Sequence, residues 1–208
     1  NDLFIVDDSL DTVTDPSGAD TVRAFADFTI DLGIENLILD ETALFAINGT
    51  GNDGINVITG NGRNNTLRAG AGQDTVYGGA GNDFIQGEAD NDVLYGGDNN
   101  DTLDGGSEVD QLFGGSGDDL LIVDVANDVV YGGADDDTVQ ASVSFSIDIS
   151  PDEDPSNEDI ENLTLVFGAI DGFGNELDNV ITGNAANNFL SGDIGADTLD
   201  GQGGTDTL

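Results

Sequence analysis

An aspartate recurs every nine residues through the middle of the chain, and an aliphatic residue stands two places after each one. The aspartates are Asp74, Asp83, Asp92, Asp101, Asp110, Asp119, Asp128 and Asp137. The aliphatic residues are Val76, Ile85, Leu94, Leu103, Leu112, Leu121, Val130 and Val139. A short unbroken period predicts a solenoid, in which each repeat stacks on its neighbours instead of joining one globular core. A carboxylate in every repeat indicates a hard cation as the ligand.

The charge of the chain also indicates a cation. There are 43 Asp and Glu residues against 3 Arg and no Lys, which gives a formal net charge of −40. Such a chain repels itself and is expected to be disordered unless cations neutralise it. Nucleic acid and anionic membranes are excluded as partners, because both require surfaces rich in Lys and Arg. No apolar run approaches the roughly 20 residues of a membrane helix, so membrane insertion is not expected.

The residue inventory excludes most catalytic chemistry. The chain has no His, Cys, Met or Trp. It therefore lacks the residues for a Ser-His-Asp triad, a cysteine nucleophile, a HExxH zinc site or a Schiff-base lysine. Paired carboxylates can hydrolyse a glycoside, but so many acids form pairs by chance, and a sugar cleft without Trp is unusual. We therefore expect no enzyme activity.

The nine-residue rows divide the chain into five predicted segments. They are the end of a preceding repeat block (1–23), non-repeat solenoid coils (24–50), a central repeat block (51–140), further non-repeat coils (141–173) and the start of another repeat block (174–208). The segment SPDEDPSNED, residues 150–159, is predicted to be a solvated acidic loop.

The two non-repeat segments retain an alternation of apolar residues. This pattern predicts either longer strands of the same solenoid or bulged coils between calcium-binding blocks. The alternating residues are Ala24, Ala26, Phe28, Ile30 and Leu32 in the first segment, and Val143, Phe145, Ile147, Ile149, Leu163, Leu165 and Phe167 in the second.

A longer repeat lies over the short one. DLFIVD from Asp2 matches DLLIVD from Asp119, and DTVRA from Asp20 matches DTVQA from Asp137, both at an offset of 117 residues. A segment containing IENL follows each match, at 34–37 and at 160–163. The chain is thus one and a half copies of a larger cassette, and we expect the natural sequence to continue.

Individual rows resemble a known motif. GGAGNDFIQ from Gly78 and GGSGDDLLI from Gly114 resemble the GGxGxDxUx nonapeptide of the RTX, or haemolysin-type calcium-binding, family. The resemblance implies an all-β fold, a parallel β-roll or β-solenoid with two rows per coil and longer irregular coils between the blocks. In each row GGxGxD would be a turn and xUx a short strand. The implied ligand is Ca2+, at multiple sites.

Residue chemistry supports the same ligand. Glycine permits positive φ and close backbone approach, which turns carbonyl oxygens towards an ion, while Asp supplies an anionic oxygen. One aliphatic side chain per row buries too little surface to offset the ordering of nine residues, so we expect metal binding to contribute to folding. The predicted metal-binding residues are Asp74, Gly78, Gly79, Gly81, Asp83, Asp92, Gly96, Gly97, Asp101, Asp110, Gly114, Gly115, Gly117, Asp119, Asp128, Gly132, Asp137, Asp197 and Asp206.

Alternate rows are expected to share one edge of the solenoid. The Asp74 edge holds Asp74, Asp92, Asp110 and Asp128, and the Asp83 edge holds Asp83, Asp101, Asp119 and Asp137. Turns on the Asp83 edge keep more of the expected glycines, which predicts tighter calcium binding there. Four Asn rows carry Asn56, Asn65, Asn179 and Asn188 in place of Asp. They either bind calcium weakly or form a metal-free amide ladder.

The last position of alternate rows is aromatic. These residues are Tyr77, Tyr95, Phe113 and Tyr131. They are predicted to form a column on the outer face of one sheet, where cross-strand pairs stabilise the stack. The alternative is a docking strip for another copy of the chain, a carbohydrate or a surface layer.

The leading functional hypothesis is a secreted structural or folding module that becomes a rigid β-roll on binding extracellular Ca2+. The resemblance implies an extracellular location at the cell surface, and cassette duplication favours a large bacterial adhesin, surface-layer or filament protein. The alternative is a non-catalytic calcium-binding module of a secreted lipase, protease or polysaccharide epimerase. A permanently disordered acidic spacer is the third hypothesis.

Overall fold

The chain folds as a stack of parallel strands. The computed structural model describes residues 1–15, 17–43, 47–148, 160–168 and 170–208, and every regular element in these ranges is a strand. The acidic loop predicted at 150–159 lies outside the described residues. No helix long and apolar enough to cross a membrane occurs in the described part of the chain. The predicted all-β solenoid is confirmed.

From β2 onwards, successive strands alternate between the two sides of the solenoid. One sheet contains, in spatial order, β1 (Leu3–Val6), β2 (Thr21–Ala24), β4 (Asn36–Leu39), β6 (Val57–Thr59), β8 (Thr75–Ala80), β10 (Val93–Asp98), β12 (Gln111–Ser116) and β14 (Val129–Ala134). A three-stranded sheet contains β16 (Phe145–Ser146), β18 (Asp171–Phe173) and β20 (Phe189–Ser191).

The remaining strands form one long sheet on the other side. In spatial order they are β21 (Thr198–Asp200), β19 (Val180–Thr182), β17 (Asn162–Leu165), β15 (Thr138–Ala141), β13 (Leu120–Val123), β11 (Thr102–Ser107), β9 (Phe84–Ala89), β7 (Thr66–Ala71), β5 (Gly49–Thr50) and β3 (Phe28–Thr29).

The register of the central block is two rows per coil. Leu94 of β10 pairs with Val76 of β8 on one side and with Leu112 of β12 on the other, so neighbouring strands are offset by eighteen residues. Residues at the same position of alternate rows therefore stack directly on one another. This confirms the predicted coil.

Strands in the central block are longer than expected. β8 begins at Thr75, passes through the predicted strand and continues to Ala80, so it includes the first three residues of the next row. Gly97 pairs with Gly79 and Gly115 within the ladder. The prediction that all of GGxGxD is a turn is therefore wrong for its first half, because these glycine backbones join the sheet.

The core is one side chain deep along each sheet. All eight aliphatic residues of the central period have no exposed surface. They point inward from both sheets, as predicted, and their stacking at the same position of each coil buries a continuous apolar column.

The non-repeat segments change the length of the coil but keep its strands in register. Thr21 pairs with Asn36, fifteen residues later, and Thr138 pairs with Asn162, twenty-four residues later. Their strands have only two to four residues. These segments are coils with altered turns, and the alternative of longer strands is wrong.

The predicted apolar alternation also fails at two positions. Leu32 is 68% exposed and Phe167 is 91% exposed, although both were expected to continue an inward series. Each follows the end of a strand, because β3 ends at Thr29 and β17 ends at Leu165. Side chains alternate between faces only within a strand, so the pattern does not extend into the turns.

Candidate metal centres

The repeated aspartates point into the solenoid and are buried at its two edges. Each Asp Oδ1 in the central block accepts a hydrogen bond from a backbone N–H one coil earlier. The donor is Asn56 for Asp74 and Asn65 for Asp83, and it is an Asp for the other six. The Asp83 N–H donates to Asp101 Oδ1 at 2.7 Å, and the Asp92 N–H donates to Asp110 Oδ1 at 2.8 Å. The side chains thus form one continuous column along each edge, which the eighteen-residue register positions.

In seven of these eight side chains the second carboxylate oxygen has no hydrogen-bond partner among the described residues. Such buried Oδ2 atoms belong to Asp74, Asp83, Asp92, Asp101, Asp110, Asp119 and Asp137. A buried polar atom without a partner costs free energy, and an ionised one costs much more. In the folded chain, each of these oxygens therefore requires a cation or a proton as its partner.

The first glycine of a row packs its Cα against this oxygen. A Cβ at Gly78 would lie 2.5 Å from Asp83 Oδ2 and 2.5 Å from the carbonyl oxygen of Gly96, in the next coil, so a side chain here would require the neighbouring coil to move. Gly96 stands in the same relation to Asp101 Oδ2 and to the carbonyl of Gly114. A carboxylate and a carbonyl oxygen thus lie close together beside the first glycine in successive coils. Calcium prefers oxygen ligands of these two kinds.

The second and fourth residues of a row adopt the left-handed region. Gly79 has φ 112° and Gly81 has φ 107°. An L-residue is strained in this conformation, whereas glycine is not. The glycines of GGxG therefore have two roles. The first allows close packing against the neighbouring oxygens, and the other two adopt the positive φ that the turn requires.

The two edges depart from this pattern to different degrees. On the Asp74 edge, Glu88, Asp90 and Glu108 occupy left-handed positions. On the Asp83 edge, only Asn99 and Asp135 do so. Asn and Asp tolerate the left-handed region better than longer side chains. The Asp83 edge therefore holds its turns with less backbone strain.

The ends of the Asp74 edge differ further. Ala69 and Val123 stand where the first glycine of a row is expected. The Asp128 Oδ2 accepts a hydrogen bond from the Val125 N–H at 3.1 Å, so this oxygen already has a partner. The terminal row of the Asp74 edge thus lacks the free oxygen found in the other central rows.

A family comparison agrees with the geometry. A model of the RTX calcium-binding nonapeptide repeat matches four stretches, residues 50–85, 77–112, 104–139 and 173–208. The chain belongs to the RTX calcium-binding repeat family. No curated protein matches the chain. The matched stretches contain both Asp columns of this RTX protein.

Burial shifts the titration of the RTX aspartates. Desolvation raises the pKa of Asp83, Asp92, Asp101 and Asp137 to about 7, although a backbone N–H hydrogen bond acts in the opposite direction at each. The same balance raises the pKa of Asp110 to about 7, and the pKa values of Asp74 and Asp119 to about 6.

These pKa values predict how the metal-free RTX fold depends on pH. Folded-state pKa values of about 6 to 7 exceed the roughly 3.9 of an unfolded Asp, so the folded state holds protons that the unfolded state has released. The free energy of unfolding therefore falls as pH rises from about 4 to 7. In chelator at constant ionic strength, we expect more β circular dichroism signal at pH 5 than at pH 8. A larger signal at pH 8 would contradict this assignment.

The Asn rows satisfy their own polar atoms. The Asn65 Oδ1 accepts from the Asn61 N–H at 2.9 Å, and the Asn65 Nδ2 donates to the carbonyl of Ile47 at 2.6 Å. Asn179 makes the equivalent bonds with Asn175 and with the carbonyl of Ile160. Asn65 and Asn179 also donate to the side-chain oxygen of a second Asn in the same row, Asn61 or Asn175. Their bonds thus lie within the row and to the backbone, so they form caps in place of the predicted ladder along the stack. Their geometry supports the metal-free alternative.

Two glutamates complete the Asp columns where the coil length changes. The Asp20 N–H donates to Glu35 Oε2, and the Asp137 N–H donates to Glu161 Oε2, both at 2.8 Å. Each Glu takes the place of the Asp that an eighteen-residue coil would have provided. Sequence reasoning assigned these residues no role, although the IENL segment that both copies share was a signal.

Arg23, in the preceding coil, neutralises the buried carboxylate of a non-repeat coil. Asp40 is buried, and its oxygens accept from the Thr42 hydroxyl and N–H and from the guanidinium of Arg23. The hydrogen bond from the Thr42 side chain lowers the pKa of Asp40. Arg23 thus neutralises a buried carboxylate of the 24–50 coils. The buried Asp carboxylates of the central rows have no such arginine partner among the described residues.

The aromatic column of the RTX rows is a face-to-face stack. Ring centroids are 4.9 Å apart for Tyr77 and Tyr95, and 4.8 Å for Tyr95 and Phe113 and for Phe113 and Tyr131. The rings cover one another's faces, which a sugar would need for stacking. This arrangement supports the structural interpretation of the column over the docking strip.

Proposed function

We propose that the chain is a structural module that binds several calcium ions and becomes a rigid β-roll when it does so. The buried Oδ2 atoms without hydrogen-bond partners carry this proposal. At Gly78, Gly87, Gly96 and Gly114 this oxygen lies close to a backbone carbonyl oxygen of the next coil. Calcium would supply the missing partner of these carboxylate oxygens and would offset part of the net charge of −40.

The proposed carboxylate ligands are the two Asp columns of the central block. Carbonyl oxygens of Gly96, Gly114 and Gly132 would complete the sites along the Asp83 edge, and the left-handed glycines would shape the turns. Asp197 and Asp206 would bind calcium in the last coils, since their Oδ1 atoms accept from the Asn179 and Asn188 N–H groups as in the central block.

The proposed segments follow from these contacts. Central rows 51–140 form the calcium-dependent block, with Asn caps at its first coil. Residues 24–50 and 141–173 are connecting coils with turns of other lengths, and residues 1–23 and 174–208 belong to neighbouring blocks. Equivalent Asp–Glu joints at Asp20–Glu35 and at Asp137–Glu161 support the division, because each marks the end of a repeat block.

We expect the Asp83 edge to bind calcium more tightly than the Asp74 edge. Glycine begins each of its Asp rows, and its left-handed positions carry no Glu. Asp101→Asn and Asp92→Asn make the same change in the middle of each edge. We expect Asp101→Asn to raise the calcium concentration at half-saturation about tenfold, or ~1.4 kcal/mol, and Asp92→Asn about threefold.

Equilibrium dialysis with calcium measures these half-saturation points and the number of ions bound, and anomalous scattering from calcium in crystals locates them. Equal occupancy along both edges at limiting calcium would refute the asymmetry. Absence of calcium binding by the unmodified chain would refute the proposed function itself.

We further propose that the module works outside the cell, as a segment of a large bacterial adhesin, surface-layer or filament protein. Calcium is abundant there, and the duplicated cassette with its repeated Asp–Glu joint suits an extended architecture. A non-catalytic module of a secreted lipase, protease or polysaccharide epimerase is the alternative. The sequence that flanks the module in its full-length protein distinguishes them, since further cassettes favour the first and a catalytic domain the second.

A further inference from the structure

One group of acidic side chains in the described part of the chain brings three carboxylates together. Oxygens of Asp2, Asp15 and Asp20 all lie within 4.8 Å of one another. Three like charges at this spacing repel one another, and a cation among them converts the repulsion into attraction. The group lies outside the stretches that the family model matches, which begin at residue 50.

Asp20 offers a buried oxygen to this group. Asp20 has no exposed surface, and its Oδ1 accepts from the Asp2 N–H at 2.7 Å and lies 3.5 Å from the amine of Asn1. Its Oδ2 is buried and has no hydrogen-bond partner among the residues that the structure describes. One oxygen of Asp20 is thus fixed by the backbone of the preceding coil, while the other is free to bind a ligand.

Asp15 distinguishes this site from the nonapeptide sites. Asp15 is 117 residues before Gly132, the first residue of the row that contains Asp137. The two cassette copies therefore differ at this position, with a carboxylate in the first and glycine in the second. The Asp15 Oδ1 accepts from the Ser17 N–H at 3.1 Å, which anchors the side chain beside Asp20.

We propose that Asp2, Asp15 and Asp20 form a separate site for a divalent cation of the calcium type. Three carboxylates supply hard anionic oxygens, as calcium prefers. Asp15 replaces the first glycine of the row with a charged ligand, so this site binds its ion more tightly than a nonapeptide site with a single carboxylate. The bound ion links the first two coils of the stack, because Asp2 belongs to one coil and Asp15 and Asp20 belong to the next.

Equilibrium dialysis of the full chain with calcium alone tests the site. Asp15→Asn keeps the acceptor for Ser17 and removes the charge, and Asp2→Asn changes an exposed side chain that does not support the fold. Asp53→Asn is the matched control, because Asp53 is exposed and outside the group. Both site variants are expected to lose one bound ion per chain, or to raise the dissociation constant of that ion at least tenfold. The control is expected to bind as the unmodified chain does.

The outcomes separate this site from the function proposed above. Calcium bound by the central block, with no difference between Asp15→Asn, Asp2→Asn and Asp53→Asn, overturns the site and leaves the proposed function standing. A calcium anomalous peak between Asp2, Asp15 and Asp20 that disappears in Asp15→Asn supports the site. Binding of one ion alone, lost in both site variants, supports the site and overturns the proposed function of the central block.

Discussion

Removal of calcium at neutral pH is expected to abolish most of the β circular dichroism signal of the chain, and its return is expected to restore that signal. Seven central aspartates bury an oxygen that no group in the described part of the chain satisfies. Without calcium, each must either take up a proton or remain charged in a buried site. Either requirement destabilises the fold above pH 7, where the raised pKa values leave most of these carboxyls unprotonated. The transition should be cooperative, because each Asp Oδ1 also holds the backbone of the preceding coil.

Magnesium at the same ionic strength is the control for charge neutralisation. Mg2+ demands near-octahedral geometry and loses its water reluctantly, so it should restore little of the signal. Limited proteolysis should cleave the central rows in chelator and spare them in calcium. Equal recovery in magnesium would show that screening alone folds the chain, and no β gain in calcium would favour the disordered spacer.

The period in the sequence was sufficient to predict the main register of the fold. A nine-residue repeat with two rows per coil stacks Leu94 on Val76 and Leu112, as observed. It also places the aspartates in two edge columns and the aromatic residues in one outer column. These features follow from a constant offset, which a sequence displays directly.

Features outside the constant offset were not predictable in this way. Glu35 lies fifteen residues after Asp20, and Glu161 lies twenty-four residues after Asp137, so the period does not bring either pair together. Asp15 lies beside Asp2 and Asp20, although glycine stands at the equivalent position, Gly132, of the other cassette copy. The boundary between strand and turn was also misplaced, since glycine backbones are able to pair in a sheet.

The choice between Asp and Asn at one position of the row has a physical meaning. An Asp such as Asp101 leaves Oδ2 without a donor, whereas an Asn such as Asn65 turns an amide towards a carbonyl. We propose that an ion fills the first arrangement, whereas the second already contains its donor. Asn rows beside the altered coils would then allow a repeat block to begin without calcium, while the Asp rows would make its extension depend on calcium.

Substitution of Gly114 by alanine is expected to remove calcium from the middle of the Asp83 edge. The added Cβ would lie 2.5 Å from the carbonyl oxygen of Gly132 and closer still to Asp119 Oδ2. Gly114 does not have positive φ, so alanine can adopt its backbone conformation, and its effect comes from displacing the Asp119 carboxylate and the Gly132 carbonyl, which must move to admit the Cβ. We expect the calcium concentration at half-folding to rise about tenfold, or ~1.4 kcal/mol.

Two alanines separate this effect from general damage to the fold. A Cβ at Gly203 would meet no atom closer than 3.7 Å, so Gly203→Ala should fold at the same calcium concentration as the unmodified chain. Ala69 already occupies the position equivalent to Gly114 on the other edge and is fully buried, which shows that the coil accepts a methyl group there. Gly114→Ala should therefore still fold at saturating calcium. If it folds at the same calcium concentration as Gly203→Ala, calcium binding does not depend on the positions of the Asp119 carboxylate and the Gly132 carbonyl.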